Sequence, residues 1–258
     1  MFVEPVQPIL DHGYLEIIEA WGSEERIIES ARMSTGKGFL GWEPGDCPTC
    51  FGTGEDPRNA PCPTCKGKGT HLGDEKLLKY LHSHHHATPF EFAGLVIEVK
   101  APIFVFREWH RHRTQSYNEM SARYTPLPNE NYIPTVERLV MASNKANKQA
   151  GAVDGALTLT EEMAELERAD LEREYELCEL NYQRSLARGV PKELARIRLP
   201  VGRYSRMRAS TNLRNWLAFL TLRDAPEAQW EIQQYAQAVA RIINSKFPRT
   251  YGLFVSDK

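Results

Sequence analysis

Two CPTC units constrain this chain more than any other feature of its sequence; they lie in CPTCFGTGEDPRNAPCPTCKGKG, residues 47–69. Each unit is followed by Gly-x-Gly, which lets the chain turn so that backbone N–H groups can face the sulfurs. Four thiolates are the ligand set of a closed structural zinc site, with no position left open for water. We therefore predict one structural zinc ion. Its ligands are Cys47, Cys50, Cys62 and Cys65.

The remaining cysteine, Cys178, stands in a helical pattern and is interpreted as a packing residue. Because four of the five cysteines have metal-ligand spacing, the sequence argues against a disulfide framework. The first 22 residues lack the pattern of a signal peptide, and no apolar run approaches the roughly 18 residues of a membrane span. A cytoplasmic location is expected.

The 258 residues, 41% of them hydrophobic, are enough for a substantial core. Residues 42–72 are rich in Gly, Pro, Cys and Thr and have neither helical nor strand periodicity. We interpret them as a zinc-binding insertion within a single domain of residues 1–258. A segment with so few apolar residues would depend on the metal for its order.

Capping signals and hydrophobic periodicity predict helices and strands without regular βαβ alternation, which favours the α+β class. The predicted strands are residues 13–22, the segment with Leu95, Ile97 and Val99, and residues 203–210. The predicted helices are one capped by Ser23, one over 74–86 capped by Asp74, one over 103–113 with Pro102 in its first turn, one over 160–187, one opened by Pro191, one over 211–223, and a last one with an Asp224/Glu227 capping box that Pro248 stops. Residues 132–155 are predicted to be loop.

The net charge of −2 conceals a strong asymmetry. Residues 161–180 carry nine acids, which is typical of a solvated helix face, whereas residues 196–223 carry seven arginines. Since arginine binds phosphate through a planar fork, the second run indicates a pocket for anionic groups. The loop ARMSTGKG, residues 31–38, has the composition to wrap a phosphate, although its spacing is not that of a P-loop.

The densest polar stretch is RHRTQSYNEMSARY, residues 111–124, which composition alone also allows as an exposed helix end and loop. Arg111-His112-Arg113, seven residues and then Ser121 match the RHR-x7-S signature of the flavin-dependent thymidylate synthases. The interior NEMSARY is similar to that family's NE-x-S-x-RY pattern. Further similar stretches occur in the expected order: ARMSTGKG, HATPFEF, ARIRLP, NLRNWLAFLTLR and AQWEIQQYA. The chain thus resembles this family over most of its length outside residues 42–72 and 135–190.

The resemblance implies a homotetrameric α+β enzyme in which helices surround an antiparallel sheet. It implies reductive methylation of dUMP to dTMP. Methylenetetrahydrofolate would be the carbon donor, and FAD, reduced by NADPH, would carry the hydride. A related pyrimidine nucleotide would present the same phosphate and N3, so the sequence does not separate it from dUMP.

Methylation requires a nucleophilic uracil C5, obtained either by adding a cysteine or serine to C6 or by withdrawing the N3 proton. Cys178 lies in an acidic helix that would suppress thiolate formation. Ser121 has no evident His and Asp partners, so it is assigned to nucleotide binding. Arg223 matches the family arginine that favours ionised N3, because a cation stabilises the conjugate base of a weak acid beside it. A salt-bridged arginine at a helix end is the alternative for Arg223.

The remaining site residues follow from the matched positions. Those matched to dUMP binding are Glu108, Arg111, Glu119, Met120, Ser121, Arg123 and Arg196. Those matched to FAD binding, some supplied by neighbouring subunits, are His86, Thr88, Arg111, His112, Arg113, Glu119, Asn212 and Arg214. Three positions depart from the family pattern: Phe92 replaces a histidine, Glu108 stands where glutamine is common, and Ala218 stands where a polar FAD contact is expected, so Ala218 is left out of the site.

A second reading comes from a different class, a zinc-containing nucleic-acid-binding protein. The CPTC units and the arginine-rich stretch motivate it, but the net charge of −2 counts against it. The CxxCxGxG units also resemble the zinc domain of DnaJ-type chaperones, which has four such units where this chain has two. The HSHHH run, residues 82–86, lacks the carboxylate or cysteine company that a metal site would need.

Overall fold

The computed structural model describes residues 6–141 and 156–256. Its strands are β1 (Val6–Ile9), β2 (Gly13–Trp21), β3 (Gly45–Asp46), β4 (Thr70–His71), β5 (Gly94–Pro102), β6 (Ser116–Glu119) and β7 (Tyr204–Asn212). Its α-helices are α1 (Glu24–Arg32), α2 (Glu75–Ser83), α3 (Ile103–Trp109), α4 (Val136–Met141), α5 (Glu161–Ala187), α6 (Lys192–Ala195), α7 (Leu213–Arg223), α8 (Trp230–Lys246) and α9 (Pro248–Ser256). Short 3-10 turns cover Met33–Thr35, Thr88–Phe92 and Arg196–Arg198.

Five strands form one sheet in the order β1-β2-β5-β7-β6, and every neighbouring pair is antiparallel. The central pairing of β5 with β7 places Leu95 opposite Thr211 and Val99 opposite Met207. A register shift in β2 between Ile17 and Glu19 marks a β-bulge. The predicted α+β class, with helices around an antiparallel sheet, is confirmed.

The strand β5 shows why one face of the sheet lies against the helices. Its residues Leu95, Ile97 and Val99 are fully buried, whereas Glu98 and Lys100 on the other face are only partly covered. This is the alternation that the sequence predicts. The buried face packs against α3, α7 and α8 in one hydrophobic cluster. Tyr235 of α8 fastens that helix to the sheet by donating to the Lys100 carbonyl, with an O···O distance of 2.8 Å.

Several predicted helix boundaries are confirmed by their caps. The Ser23 hydroxyl accepts from the Arg26 N–H and begins α1, and the Thr160 hydroxyl accepts from the Met163 N–H and begins α5. Pro191 directly precedes α6. The hydroxyls of Ser23 and Thr160 satisfy donors that the first helical turn leaves without partners.

Asp74 stands at the N-cap position of α2, as predicted, but its side chain makes no capping hydrogen bond. Its carboxylate is buried and instead pairs with Arg32 and accepts from the Leu40 N–H at 2.7 Å. Because a long-range ion pair holds the carboxylate, it does not accept from the N–H groups of the first helical turn. The helix also ends at Ser83 and not at residue 86.

The start of α3 at Ile103 is as predicted, whereas its end and the place of Pro102 are not. Pro102 closes strand β5 in an extended conformation and does not enter the first helical turn. The helix ends at Trp109, before the RHR stretch, and the chain then turns into the edge strand β6. That strand is polar throughout and carries no hydrophobic alternation, so its pairing with β7 could not be read from the sequence.

The last predicted capping box is also wrong. Asp224 and Glu227 do not cap α8, which begins at Trp230 after Gln229 with no side-chain cap. The intervening turn is held by Gln233, whose side-chain amide donates to the Ala225 carbonyl at 3.0 Å. Pro248 ends the long helix as predicted and then opens α9, which the sequence did not predict.

Four further elements were missed: the short edge strand β1, the two-residue strands β3 and β4, and the helix α4 within the predicted loop of residues 132–155. The rest of that predicted loop, residues 142–155, lies outside the described residues. The interpretation of residues 42–72 as an insertion in a single domain stays a prediction. Within the described ranges, no helix is both long and apolar enough to cross a membrane.

Candidate active site

The charged corner, which we define as Glu108, His112 and Arg223, lies where α3 and α7 end. Arg223 is the last residue of α7, and its Nη1 donates to a Glu108 carboxylate oxygen at 2.8 Å. Its Nη2 donates to the Glu108 carbonyl at 2.9 Å, and its Nε donates to His112 Nε2 at 2.9 Å. Three hydrogen bonds therefore fix the plane and position of the Arg223 guanidinium.

His112 must be neutral at Nε2 to accept that bond. Partial burial lowers the pKa of His112 to about 4, assisted by the Arg223 cation and opposed by the Glu108 carboxylate. The imidazole is therefore uncharged near neutral pH. Of the two charges left in the corner, the Arg223 side chain is 15% exposed and the Glu108 side chain 40% exposed, so the carboxylate is the more accessible.

Aromatic side chains support the charged corner from below. The centroid of the Phe219 ring lies 4.9 Å from that of the His112 ring, which it meets edge-on. It lies 4.7 Å from that of the Trp109 ring, to which it is tilted. The Tyr117 hydroxyl donates to the carbonyls of Trp109 and His112, which holds the turn after α3. The polar groups thus stand on a fully buried apolar floor.

A second polar pair lies at the start of α7. Arg214 pairs with Glu91 at 2.9 Å, and Asn212 caps the helix by accepting from the Asn215 N–H at 3.0 Å. Beside this pair, a hollow of about 320 Å³ is lined by residues that include His86, Phe90, Arg214 and Leu217. Apolar walls with cationic and imidazole donors suit a planar aromatic ring that carries polar edges.

Glu91 is a member of this group that the sequence did not assign. Its position in HATPFEF could have indicated it, because it lies between Thr88, a predicted flavin residue, and Phe92, which replaces the family's histidine. Thr88 lies in the 3-10 turn with Glu91. The contact with Arg214 spans 123 positions, and no local pattern indicates it.

The predicted nucleotide residues follow β6 and the turn after it. Glu119 ends β6, the Met120 N–H donates to the Arg206 carbonyl, and the Ser121 hydroxyl accepts from the Arg123 N–H at 3.4 Å. The guanidinium of Arg123 lies over the Tyr124 ring, and Lys192 donates to the Tyr124 carbonyl at 2.8 Å. This turn presents its polar groups largely to solvent.

Other predicted residues are not drawn into this group within one chain. Arg111 and Arg113 are exposed on the turn after α3, and Arg196 is exposed beyond α6, where its Nε donates to the Glu193 carbonyl. Among the described residues, no hydrogen bond or ion pair joins Arg196 to Glu119 or Arg123. The structure therefore brings together Glu108, His112 and Arg223, and separately His86 and Arg214.

The arginine-rich stretch does not line one pocket, although the sequence indicated one. Arg203 is fully buried and pairs with Glu179 of the acidic helix α5 at 2.6 Å. The stretch is distributed over several elements and pairs mainly with carboxylates. Those in ion pairs are Arg203, Arg206, Arg208, Arg214 and Arg223.

Comparison with known proteins decides the family. The sequence model described as "Thymidylate synthase complementing protein" matches residues 16–249. The chain belongs to that family. A flavin-dependent thymidylate synthase of Thermus thermophilus is 36% identical over 247 residues, covering 96% of this chain and 77% of that protein. The enzyme of the same name from Thermosipho africanus is 36% identical, covering 96% of this chain and 92% of the relative.

A solved structure agrees with the sequence relatives. The UMP/dUMP methylase PolB from Streptomyces cacaoi, bound with 5-Br dUMP, superposes with a TM-score of 0.71 at 28% identity. The superposition covers 96% of this chain and 97% of that one. The resemblance drawn from RHR-x7-S is therefore confirmed at the level of the thymidylate synthase complementing protein family.

This family member carries a sulfur cluster in the ribbon, the name used here for residues 42–72. The Sγ atoms of Cys47, Cys50, Cys62 and Cys65 all lie within 4.8 Å of one another and are buried. Cys47 and Cys62 are 4.0 Å apart at Sγ, and Cys50 and Cys65 are 3.7 Å apart. A tetrahedral zinc site with Zn–S bonds of about 2.3 Å has S···S edges of roughly 3.8 Å, which these distances match.

The two CPTC units fold alike, and their glycines explain why. The Gly54 N–H donates to Cys50 Sγ at 3.3 Å, and the Gly69 N–H donates to Cys65 Sγ at 3.2 Å. A Cβ on Gly54 would come within 2.6 Å of the Gly67 carbonyl oxygen, and one on Gly69 within 2.4 Å of the Gly52 oxygen. The repeat therefore needs glycine at both positions for close backbone approach.

The thiols of the cluster differ in how readily they ionise, because backbone hydrogen bonds lower the pKa of Cys62 whereas burial raises the pKa of Cys50. Burial opposes ionisation of Cys47, but hydrogen bonds from the backbone N–H groups of Cys50 and Thr49 outweigh it and lower the pKa of Cys47 to about 7. Within the described ranges, these four cysteines are the only group of His, Cys, Asp and Glu side chains with metal-binding geometry, so the HSHHH run does not form one.

Proposed function

We propose that this chain converts dUMP to dTMP, with methylenetetrahydrofolate as carbon donor and an FAD reduced by NADPH as hydride source. The class of activity, flavin-dependent thymidylate synthesis, follows from the family and from relatives about 35% identical over nearly the whole chain. The structural neighbour named as a UMP/dUMP methylase supports a pyrimidine nucleotide as substrate. The single observation that carries the finer proposal is the anchored guanidinium of Arg223.

In this proposal Arg223 holds the ionised form of uracil N3. Its guanidinium is mostly buried and is oriented by three hydrogen bonds, so little reorganisation is needed when an anion arrives. Loss of the N3 proton places negative charge in the ring and makes C5 nucleophilic. Neutral His112 orients Arg223 without adding a second positive charge beside it.

The proposed place of the flavin ring is the hollow beside α7, where His86 and Arg214 would be its polar partners and Phe90 and Leu217 its apolar walls. When bound, the flavin supplies the hydride that completes the methyl group. The further proposed FAD contacts are Thr88, Arg111, His112, Arg113, Glu119 and Asn212. Arg111, Glu119, Met120, Ser121, Arg123 and Arg196 remain the proposed dUMP contacts, together with Glu108.

We further propose a homotetramer with shared active sites. Several proposed ligand residues are exposed and unconnected within one chain, as Arg123 and Arg196 are, which a neighbouring subunit would remedy. Large apolar residues are also exposed along and near α5, among them Leu166, Leu177 and Ile197. A monomeric mass by light scattering would contradict this assembly.

The ribbon is proposed to bind one structural zinc ion through its four cysteines. The sulfur geometry, the burial of the thiols and the N–H groups directed at Cys50 and Cys65 support it. With four protein ligands, the metal would have no position open for substrate, so its role is to order the ribbon.

The function is tested by anaerobic reoxidation of the reduced flavin, followed at about 450 nm. Reoxidation should require both dUMP and methylenetetrahydrofolate, and UMP in place of dUMP tests the sugar. Arg223→Ala should retain FAD yet reduce tritium release from 5-labelled dUMP by about 100-fold or more, because a preorganised charge partner is lost. Arg241→Ala, on α8 and bonded to Gln7, serves as the matched control. Normal tritium release by Arg223→Ala would contradict the assigned role.

A further inference from the structure

A cleft of about 580 Å³ separates the ribbon from the helical frame. Its walls are the end of α1 and the loop after it, residues of the segment from Thr64 to Gly73, and Lys76 and Leu77 at the start of α2. Ligand sites in proteins commonly have volumes of roughly 300–1,000 Å³. None of the lining residues is among those proposed for dUMP or FAD, so the cleft is a separate feature.

The charged side chains that line the cleft are all positive. They are Arg32, Lys37, Lys66, Lys68 and Lys76, and no Asp or Glu in the described part of the chain lines the cleft. Arg32 is neutralised by the buried carboxylate of Asp74. Among the described residues, Lys66, Lys68 and Lys76 make no ion pair. In a chain with a net charge of −2, such a local excess favours an anionic ligand.

The backbone positions of Lys66 and Lys68 are determined by the fold of the ribbon. The backbone N–H of Lys66 donates to the Cys62 carbonyl at 2.7 Å, and that of Lys68 donates to the Cys65 carbonyl at 3.2 Å. Lys37 crosses from the loop after α1 and donates from Nζ to the Thr64 carbonyl at 2.6 Å. Cations on a structure that is ordered before binding cost less entropy to engage.

The cleft is also partly apolar. Leu40, Leu72 and Leu77 contribute to its lining, and Leu72 is 73% exposed. A ligand with several negative charges and a flat, less polar part would use both kinds of wall. We propose that this cleft binds a nucleotide, with its phosphate groups on Lys66, Lys68 and Lys76 and its base against Leu72 and Leu77.

Two sources could supply this chemistry, a free nucleoside polyphosphate or the adenosine 2′-phosphate end of a dinucleotide. Both carry phosphate groups on an adenosine-like nucleoside. A nucleoside triphosphate has its third phosphate on the 5′ chain, whereas the dinucleotide has it on the ribose 2′ oxygen. The proposal concerns binding alone and does not depend on the catalytic role of Arg223.

A competing account is that the lysines only balance the sulfur cluster. A zinc ion with four thiolates has a formal charge of −2. Lys66 directly follows Cys65 in the chain, and Lys68 lies three residues after that cysteine. Lys76 distinguishes the accounts because it belongs to α2 and is separate from the sulfur-binding turns.

The test is calorimetric titration of the zinc-loaded enzyme, with FAD and dUMP saturating so that the catalytic site is occupied. The probes are pyrophosphate, ADP and 2′,5′-ADP. We expect Lys66→Gln/Lys68→Gln to raise the Kd of ADP by about tenfold or more, and Lys76→Gln to raise it severalfold, because each removes a charged phosphate partner. Lys246→Gln, exposed at the end of α8 and outside the cleft, should leave it unchanged.

Tighter binding of 2′,5′-ADP than of ADP would identify the dinucleotide, and the reverse order would identify a free nucleotide. Equal Kd values in the wild type and all lysine variants would overturn the proposal, as would the absence of saturable binding to the wild type. Loss of zinc from Lys66→Gln/Lys68→Gln together with unchanged ADP binding by Lys76→Gln would also overturn it, since the lysines would then balance the metal only.

Discussion

The ribbon and the charged corner are ordered in opposite ways. In the ribbon, the buried hydrophobic cluster consists of four cysteines, and its one large aromatic residue at the turn, Phe51, is 86% exposed. In the charged corner, Arg223 and His112 stand on fully buried Trp109 and Phe219. The buried centre of the first region consists of thiols, whereas that of the second consists of apolar rings. One chain can therefore lose the order of one region and keep that of the other.

The largest effect is expected from breaking the apolar floor. Trp109→Ala should lower the free energy of unfolding by about 3–5 kcal/mol, because it removes a fully buried ring and leaves Gln115 without its indole partner. Denaturant unfolding followed by circular dichroism measures this loss. Metal content per folded chain should not change.

Phe51→Ala is the matched change in the ribbon, and it should alter the free energy of unfolding by no more than about 0.5 kcal/mol because the ring is exposed. Trp109→Phe, which keeps most of the apolar ring, should lie between the two. Equal losses for Trp109→Ala and Phe51→Ala would show that the two regions are not ordered differently.

Breaking the sulfur cluster should be the converse experiment. Cys62→Ser removes one of four ligands, so zinc bound per chain should fall to near zero and proteolysis should begin within residues 42–72. The thermal midpoint of the main transition should shift by no more than about 4 °C, since the sheet and its helices share none of these ligands.

Cys178→Ser provides the control because Cys178 is a thiol outside the cluster. It should retain metal and resist proteolysis as the wild type does. If Cys62→Ser instead loses the flavin and unfolds globally, the ribbon is required for the core and the comparison fails.

The stability of the charged corner should depend on pH because it contains His112. The pKa of His112 is about 4 in the folded chain and its ordinary value is 6.5, so the unfolded chain binds a proton first as the pH falls. The free energy of unfolding should therefore decrease as the pH is lowered from about 6.5 to about 4, with no contribution from this group above that range. His112→Gln should show a smaller decrease over the same range, measured by urea unfolding at each pH. An identical pH dependence in the variant would contradict the assignment.

A smaller effect is expected from changing one charge in the charged corner. Glu108→Gln leaves the shape of the side chain but removes the carboxylate from Arg223. The freed cation should stabilise ionised N3 more strongly and shift the acid limb of turnover down by roughly one pH unit. Glu91→Gln removes the carboxylate beside Arg214 and should leave that limb in place. A limb that moves equally in both variants would show a general charge effect.

The sequence predicted what local patterns determine. The alternation in β5 placed one strand and the Ser23 cap placed the start of α1, while the helical pattern over 160–187 placed α5 to within one residue. Local rules failed where a distant partner prevailed. Asp74 has the position of a cap, but Arg32 and the Leu40 N–H hold its carboxylate, and β6 is a strand only because β7 lies beside it.

The site shows the same division. The RHR-x7-S motif identified the family and selected the residues to examine. It could not indicate that Arg223 would meet Glu108 across 115 positions, or that Arg214 would meet Glu91 across 123. Those contacts follow from the packing of α3 and the Thr88–Phe92 turn against α7, which no single segment encodes.

The pairing of β3 with β4 has a consequence for how such a chain could arise. Gly45 lies opposite His71 and Asp46 opposite Thr70. The two ends of the segment between Asp46 and Thr70 are therefore close together. A two-residue turn could join Asp46 to Thr70 without moving either strand. Deletion of residues 47–69 would therefore leave the ends of β3 and β4 close enough to join, and neither strand belongs to the five-stranded sheet.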